Sequence, residues 1–85
     1  MTTKCVELRI ISVERKPGKF FNAYWKEPCD LITDDDGDQF IADMRLDDFR
    51  VDIGKTINAY CYDSGGCTSY LWLSYTPDQK IAGDF

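Results

Sequence analysis

Short stretches of alternating apolar and polar residues, separated by turns that contain glycine, make up most of this 85-residue sequence. The strongest turn signal is Asp-Asp-Asp-Gly-Asp at 34–38, because Asp-Gly tolerates the positive φ angles of a two-residue β-hairpin. Residues 39–46 follow it and alternate, with Phe40, Ala42, Met44 and Leu46 on one face. A spacing of two is that of a β-strand, so the sequence predicts a hairpin at 34–38.

The rest of the chain predicts four more strands. Residues 5–14 alternate but change phase at Ile10-Ile11, which indicates a strand with a bulge or bend. The aromatic stretch 20–26 is extended in character, and the strand resumes at 29–33 after Pro28. Strands at 56–63 and 68–75 flank Ser64-Gly65-Gly66 as a second hairpin.

The segments between and after these strands are expected to be irregular. Residues 47–55 are too few for a long helix and favour a connecting loop, with Phe49, Val51 and Ile53 held against the core. Residues 76–85 contain few apolar side chains and are expected to form a poorly ordered tail.

A chain of this length allows one domain, 1–85, with a single small core. Five short strands leave sheet edges that must be covered, and closing the sheet removes them. We therefore predict an all-β fold, a small five-stranded antiparallel barrel over about 5–75 with little or no helix.

The order of these features resembles the oligonucleotide/oligosaccharide-binding (OB-fold) barrels. The resemblance rests on the slipped first strand, the Asp-Gly hairpin, the Val51-x-Ile53-Gly54-Lys55 stretch and the final glycine turn. Small phage single-stranded-DNA-binding proteins are similar in size and architecture. The resemblance implies ligand binding, often through the loop between the first two strands. An SH3-like barrel also has five strands and is the alternative.

Charge is distributed unevenly along the chain. The net charge of −5 argues against general binding to duplex DNA or anionic lipid. However, residues 1–29 carry six bases and three acids, whereas residues 30–52 carry nine aspartates and two arginines. The sequence therefore predicts two surfaces of opposite sign.

Residues 15–26 mix four bases with four aromatic side chains around the first predicted turn. Single-stranded nucleic acid is held by such a mixture, because bases stack on rings while cations contact phosphates. The leading hypothesis places Lys16, Lys19 and Lys26 on phosphates and Phe20, Tyr24 and Trp25 against bases. In the competing interpretation, Phe21, Ala23 and Trp25 face the core and the lysines are solvated. The exposed Tyr/Trp face of the last hairpin would suit bases or a protein partner equally, and a homodimer could also cover it.

The acidic stretch gives a rival hypothesis, a basic protein as partner. Asp34, Asp35, Asp36 and Asp38 on a rigid barrel could imitate nucleic-acid phosphates and occupy a basic groove, as a phage-type inhibitor would. Calcium is a weaker interpretation, because the spacing does not fit an EF-hand loop.

No cofactor, metal or catalytic residue is expected. The sequence has no histidine, and the spacing of Cys5, Cys29, Cys61 and Cys67 matches no usual zinc site. Cys61 and Cys67 could pair across the last hairpin, but reduced thiols, with Cys5 and Cys61 in the core, are the default. Without a membrane-length apolar run or a signal peptide, we expect a cytoplasmic, non-enzymatic binding protein.

Overall fold

The structure is a computed structural model that describes residues 3–63 and 68–76. Its longest strand, β1 (Thr3–Lys16), pairs with two other strands. Its first part pairs with β4 (Thr56–Tyr62), and its second part pairs with β2 (Cys29–Asp34), both antiparallel. The register with β2 shifts between Ile10 and Ser12. The shift lies where the pairing of β1 passes from β4 to β2, and the predicted bulge is confirmed.

The remaining strands close the sheet. Strand β3 (Gln39–Ala42) forms a hairpin with β2, and β5 (Leu71–Tyr75) lies between β3 and β4. The order around the closed barrel is β1-β2-β3-β5-β4. The predicted all-β, five-stranded barrel is confirmed. One pairing differs from the expected antiparallel arrangement, because β3 and β5 are parallel. After β3 the chain forms β4, and β5 then returns antiparallel to β4 and lies between β3 and β4.

The inner face of each strand carries every second side chain, as the alternation predicts. The core contains Leu8, Ile10, Ile32, Phe40, Ala42, Phe49, Ile57, Ala59, Cys61 and Leu73. Cys61 is in this core as expected, whereas Cys5 is exposed. Val6, Leu8 and Ile10 point inward from β1, and alternation places Cys5 on the opposite face.

A short 3₁₀ helix, Phe49–Asp52, packs against β1 and contributes Phe49 to the core. The Asp48 carboxylate caps it by accepting the Arg50 amide N–H, and Phe49 is fully buried and stacks on Tyr75 with ring centroids 4.2 Å apart. The expectation that Val51 and Ile53 also pack inward is wrong. Val51 and Ile53 are 66% and 47% exposed. A 3₁₀ helix has three residues per turn, so side chains two residues apart point to different sides.

The predicted hairpin at 34–38 is confirmed and joins β2 to β3. Gly37 has φ +85°, a conformation that side chains with a Cβ rarely adopt. Strand β3 ends at Ala42, four residues before the predicted end, because Asp43 begins a turn in which its carbonyl accepts the amides of Leu46 and Asp47. Leu46 is consequently exposed.

Some predictions fall outside the described residues. The Ser64-Gly65-Gly66 turn, Cys67 and residues 77–85 of the predicted tail belong to this group. In the part of the chain that the structure describes, no helix is long and apolar enough to cross a membrane.

Candidate functional site

The segment 17–28, which we call the aromatic loop, joins β1 to β2. The prediction of an extended strand over 20–26 is wrong, since the backbone closes into consecutive turns. The carbonyl of Pro17 accepts the amide of Phe20, and that of Gly18 accepts the amides of Phe21 and Asn22. The carbonyl of Asn22 then accepts the amide of Trp25 at 3.0 Å. These local bonds replace the ladder bonds of a strand.

Gly18 allows the loop to fold back on itself. A Cβ at this position would lie 2.2 Å from the carbonyl oxygen of Glu27 and 3.0 Å from Cβ of Trp25. Both neighbours come from the far end of the loop, so only glycine permits this approach of the two ends.

The aromatic loop packs on the outer face of the barrel. Phe21 is buried with Cys29, Leu31 and Ile41, which point outward from β2 and β3. Trp25, Tyr70 and Trp72 cover the rest of this second apolar cluster. In addition, the Thr68 hydroxyl donates to the Phe21 carbonyl at 3.3 Å and ties the loop to the segment before β5.

The rings form a continuous aromatic row, made of Phe20, Phe21, Trp25, Trp72 and Tyr62. Successive centroids are 5.1, 6.2, 5.4 and 6.4 Å apart, and Tyr70 packs edge-on against Phe21. Phe20, at one end of the row, is about half exposed, and Trp25 and Trp72 are partly exposed. The row therefore combines a structural anchor with ring surface that a planar ligand could contact.

Tyr24 stands apart from the row and is 90% exposed. Two hollows adjoin it, of about 370 and about 520 Å³, and Tyr24, Trp25 and Lys26 line both. The larger hollow also has Lys19 in its wall, and the smaller has Arg45. Their volumes lie within or near the range of small-ligand sites, about 300–1,000 Å³.

The predicted cations differ in their contacts. Lys16 donates to the Glu14 carboxylate at 2.8 Å, and its ammonium lies 5.1 Å from the centroid of the Phe20 ring. Lys19 and Lys26 are exposed. Lys16 is therefore already engaged within the protein, whereas the other two lysines are the better placed for an external anion.

Asp43 and Arg45 form the rim of the smaller hollow. The Arg45 guanidinium donates to the two Asp43 oxygens, Nε at 3.1 Å and Nη2 at 3.0 Å, and these bonds lower the pKa of Asp43. In the same wall, burial and then the Asp43 carboxylate raise the pKa of the Cys29 thiol, which stays protonated at neutral pH.

The structure thus brings Tyr24, Trp25 and Lys26 together, with Lys19 nearby, and places Lys16 beside Phe20. Sequence reasoning missed Arg45 as part of this region, and it assigned Trp72 to a separate patch. A signal was present in Leu31 and Ile41, which are apolar although the alternation assigns them to the outer face of β2 and β3. That pattern predicts a cover over the outer face of β2 and β3.

The acidic turn, residues 34–38, lies at the other end of β2. Asp34 is buried, and its Oδ1 accepts the amides of Asp36 and Asp38 at 3.0 and 2.8 Å. Asp35, Asp36 and Asp38 are exposed. Carboxylate oxygens of Asp34, Asp36 and Asp38 lie within 4.8 Å of one another. Asp34 therefore serves the turn, and the other three carry the exposed negative charge.

Comparisons with protein families, with curated proteins and with solved structures find no match for this chain.

Proposed function

We propose that this chain is a non-enzymatic protein that binds single-stranded nucleic acid through the aromatic loop. The observation that carries the proposal is the position of Tyr24, Trp25 and Lys26 between two adjoining hollows that also contain Lys19 and Arg45. Exposed rings offer stacking surfaces worth about 1–3 kcal/mol per base, and the flanking cations can contact phosphates.

We further propose that the barrel is of the OB type. The order β1-β2-β3-β5-β4 with parallel β3 and β5 supports this assignment, as does the bulged β1 shared by two neighbours. Such barrels hold oligonucleotides against the face of strands 2 and 3 and the loop between strands 1 and 2. In this chain, that loop covers much of that face, so the proposed ligand lies on the loop and beside Trp72.

The acidic turn lies away from this surface, although Glu27 and Asp43 line the smaller hollow together with Lys26 and Arg45. Strand β2 runs from Cys29, next to the aromatic loop, to Asp34 in the acidic turn, a span of about 17 Å at 3.3 Å per residue. The Debye length at physiological ionic strength is about 8 Å, so the acidic turn is largely screened from a strand bound at the loop.

A titration of tryptophan fluorescence with an oligothymidylate of about eight nucleotides tests the proposal. We expect quenching at about 50 mM salt and its loss at about 300 mM. A Lys19→Gln/Lys26→Gln variant should weaken binding. On a single strand each phosphate contact contributes about 0.7 to the slope of log K against log salt, so the loss of both contacts should reduce the slope by about 1.4.

The matched control is Lys4→Gln/Lys55→Gln, which removes the same charge from exposed positions outside the aromatic loop. Equal loss of affinity in the two double variants would point to net charge alone. An absence of quenching at low salt would contradict the proposal.

The second candidate function is binding of a basic protein through the acidic turn. The exposed carboxylates of Asp35, Asp36 and Asp38 favour it. A variant with these three changed to Asn retains Asp34 and hence the turn. Binding of a basic polypeptide such as polylysine should weaken in this variant, with no change in binding of oligothymidylate. An unchanged affinity for polylysine would remove this candidate.

A further inference from the structure

The Arg45 rim of the smaller hollow has a nearly identical counterpart elsewhere in the chain. Asp43-Met44-Arg45 and Asp48-Phe49-Arg50 are both Asp-x-Arg sequences. In each, the aspartate accepts the arginine amide, at 2.9 and 3.1 Å, and the guanidinium grips the same carboxylate through Nε and Nη2. The two arginine side chains are 62% and 54% exposed.

What differs is the surroundings of the two pairs. Arg45 lines a hollow whose other walls include Trp25, Trp72 and Tyr24, whereas Arg50 does not line it. Arg50 belongs to the 3₁₀ helix Phe49–Asp52. The first pair therefore lines the hollow with Trp25 and Trp72, and the second pair does not.

The hydrogen bonds to Asp43 determine which N–H groups of Arg45 are left to bind a ligand. A guanidinium has five N–H groups, and the bonds from Nε and Nη2 to Asp43 use two of them. The others, both on Nη1 and one on Nη2, can donate in parallel to two neighbouring acceptors in one plane. The carboxylate limits the freedom of the side chain, so less entropy is lost when a ligand binds.

From this geometry we propose that the smaller hollow receives one nucleobase of the bound strand and that Arg45 favours guanine there. This inference rests on the proposed function and adds a base preference to it. Guanine presents O6 and N7 as adjacent acceptors, which match a bidentate arginine. Adenine has a donor in place of O6, and thymine has the N3–H donor between its two carbonyl oxygens. Unpaired cytosine also has adjacent acceptors, N3 and O2, but guanine offers the larger ring system to Trp25 and Trp72. The rings of Trp25 and Trp72 supply the apolar wall of the same hollow.

The test uses fluorescence anisotropy with labelled thymidylate strands of about eight nucleotides. One strand is uniform, and the others carry a single central guanine, adenine or cytosine. We expect the guanine strand to bind about fivefold more tightly than the uniform strand, the lower end of the range for a bidentate arginine–guanine contact. The adenine strand should bind like the uniform one, and the cytosine strand should bind less tightly than the guanine strand. Equal binding of the cytosine and guanine strands would mean that Arg45 accepts any adjacent pair of acceptors, and the preference for guanine would be wrong.

Three variants test whether the preference comes from the Arg45 rim. Arg45→Gln should abolish the guanine preference, whereas Arg50→Gln, which removes the same charge from the counterpart pair, should retain it. Asp43→Asn removes one negative charge from the rim and the acceptor of the Arg45 Nη2 bond, while its amide oxygen can still accept from Nε. It should therefore reduce the guanine preference and tighten binding of the uniform strand, an outcome that general damage to the fold would not produce.

Different results overturn different proposals. If the uniform strand binds and guanine brings no gain, the base preference is wrong and the proposed function stands. If Arg45→Gln weakens all strands by the same factor, Arg45 contacts phosphate and the guanine proposal is again wrong. If no strand binds at low salt, the proposed function fails, and the base preference fails with it.

Discussion

The rings of Trp25 and Trp72 lie with their centroids 5.4 Å apart at an interplanar angle of 39°, although one belongs to the aromatic loop and the other to β5. Trp25 also contacts Phe21, which is buried on the outer face of β2 and β3. The contact therefore joins the loop to the barrel and leaves part of each indole at the surface.

Replacement of Tyr24 and Trp25 by alanine should separate ligand contact from stability. Tyr24→Ala should leave the free energy of unfolding within about 0.5 kcal/mol of the parent, because the ring is 90% exposed, and should weaken oligonucleotide binding by about 1–3 kcal/mol. Trp25→Ala should reduce both, with about 1–2 kcal/mol lost in unfolding as its two ring contacts disappear. Urea unfolding and anisotropy measure the two quantities. A Tyr24 variant that binds normally would contradict the assigned role.

Gly18→Ala should disturb the aromatic loop while the barrel remains. The new Cβ would meet the Glu27 carbonyl, a backbone atom that cannot move aside alone, so we expect a loss of about 1–3 kcal/mol in unfolding and weaker oligonucleotide binding. Gly37→Ala is the control, since it brings strain of about 1–2 kcal/mol from its positive φ but lies in the acidic turn. It should destabilise the protein without changing affinity. Equal effects of the two changes on affinity would contradict the role of Gly18.

Alternation in the sequence was sufficient to predict β1, β4 and the hairpin at 34–38, because each depends on local chemistry. Ile57, Ala59 and Cys61 point inward since side chains of a strand alternate between its faces. Asp-Gly forms the turn because Gly37 accepts a positive φ. The bulge at Ile10-Ile11 was visible for the same reason, as a change of phase within one run.

Non-local packing decided what the sequence did not predict. The aromatic residues of 20–26 predict a strand, because aromatic side chains are frequent in strands. They form turns instead, since Leu31 and Ile41 on the outer face of the barrel require an apolar cover, which Phe21 and Trp25 supply. Arg45 and Trp72 line the same hollow because β3 and β5 pair in parallel, and no local pattern in the sequence predicts that pairing.

Phe49 and Val51 should differ sharply in their contribution to stability, although they are two residues apart in one 3₁₀ helix. Phe49→Ala should reduce the free energy of unfolding by about 3–5 kcal/mol, because it leaves a cavity in the core and removes the stack on Tyr75. Val51→Ala should change it by no more than about 0.5 kcal/mol. Urea unfolding provides both values, and a large effect at Val51 would show that this side chain is covered in solution.

The aspartates of the acidic turn should separate into one structural residue and three solvated ones. Asp34→Ala leaves the amides of Asp36 and Asp38 without their acceptor, so we expect a loss of about 1–3 kcal/mol in unfolding. Asp34→Asn retains an acceptor oxygen and should lose less. Asp36→Ala, at an exposed position, should have almost no effect. A similar destabilisation in the two alanine variants would contradict the assignment of Asp34 to the turn.

Tyr75 should make the protein sensitive to alkaline pH. Burial, then the hydrogen bond to the Asp52 carboxylate and the nearby negative charges, raise the pKa of Tyr75 above its ordinary value of about 10. A tyrosine with a raised pKa stabilises the folded state fully below the unfolded pKa, and this contribution is lost as the pH rises above about 10.

Tyr75→Phe retains the ring on Phe49 but removes the hydroxyl, which donates to Asp52 and also lies 2.9 Å from the Asp48 carbonyl oxygen. We expect a loss of about 1.5–3 kcal/mol near pH 8 and a smaller further decline than in the parent protein between about pH 10 and 11.5. The raised pKa of Tyr62 contributes equally to both proteins and cancels in the comparison. Parallel pH profiles of the free energy of unfolding would contradict this role for Tyr75.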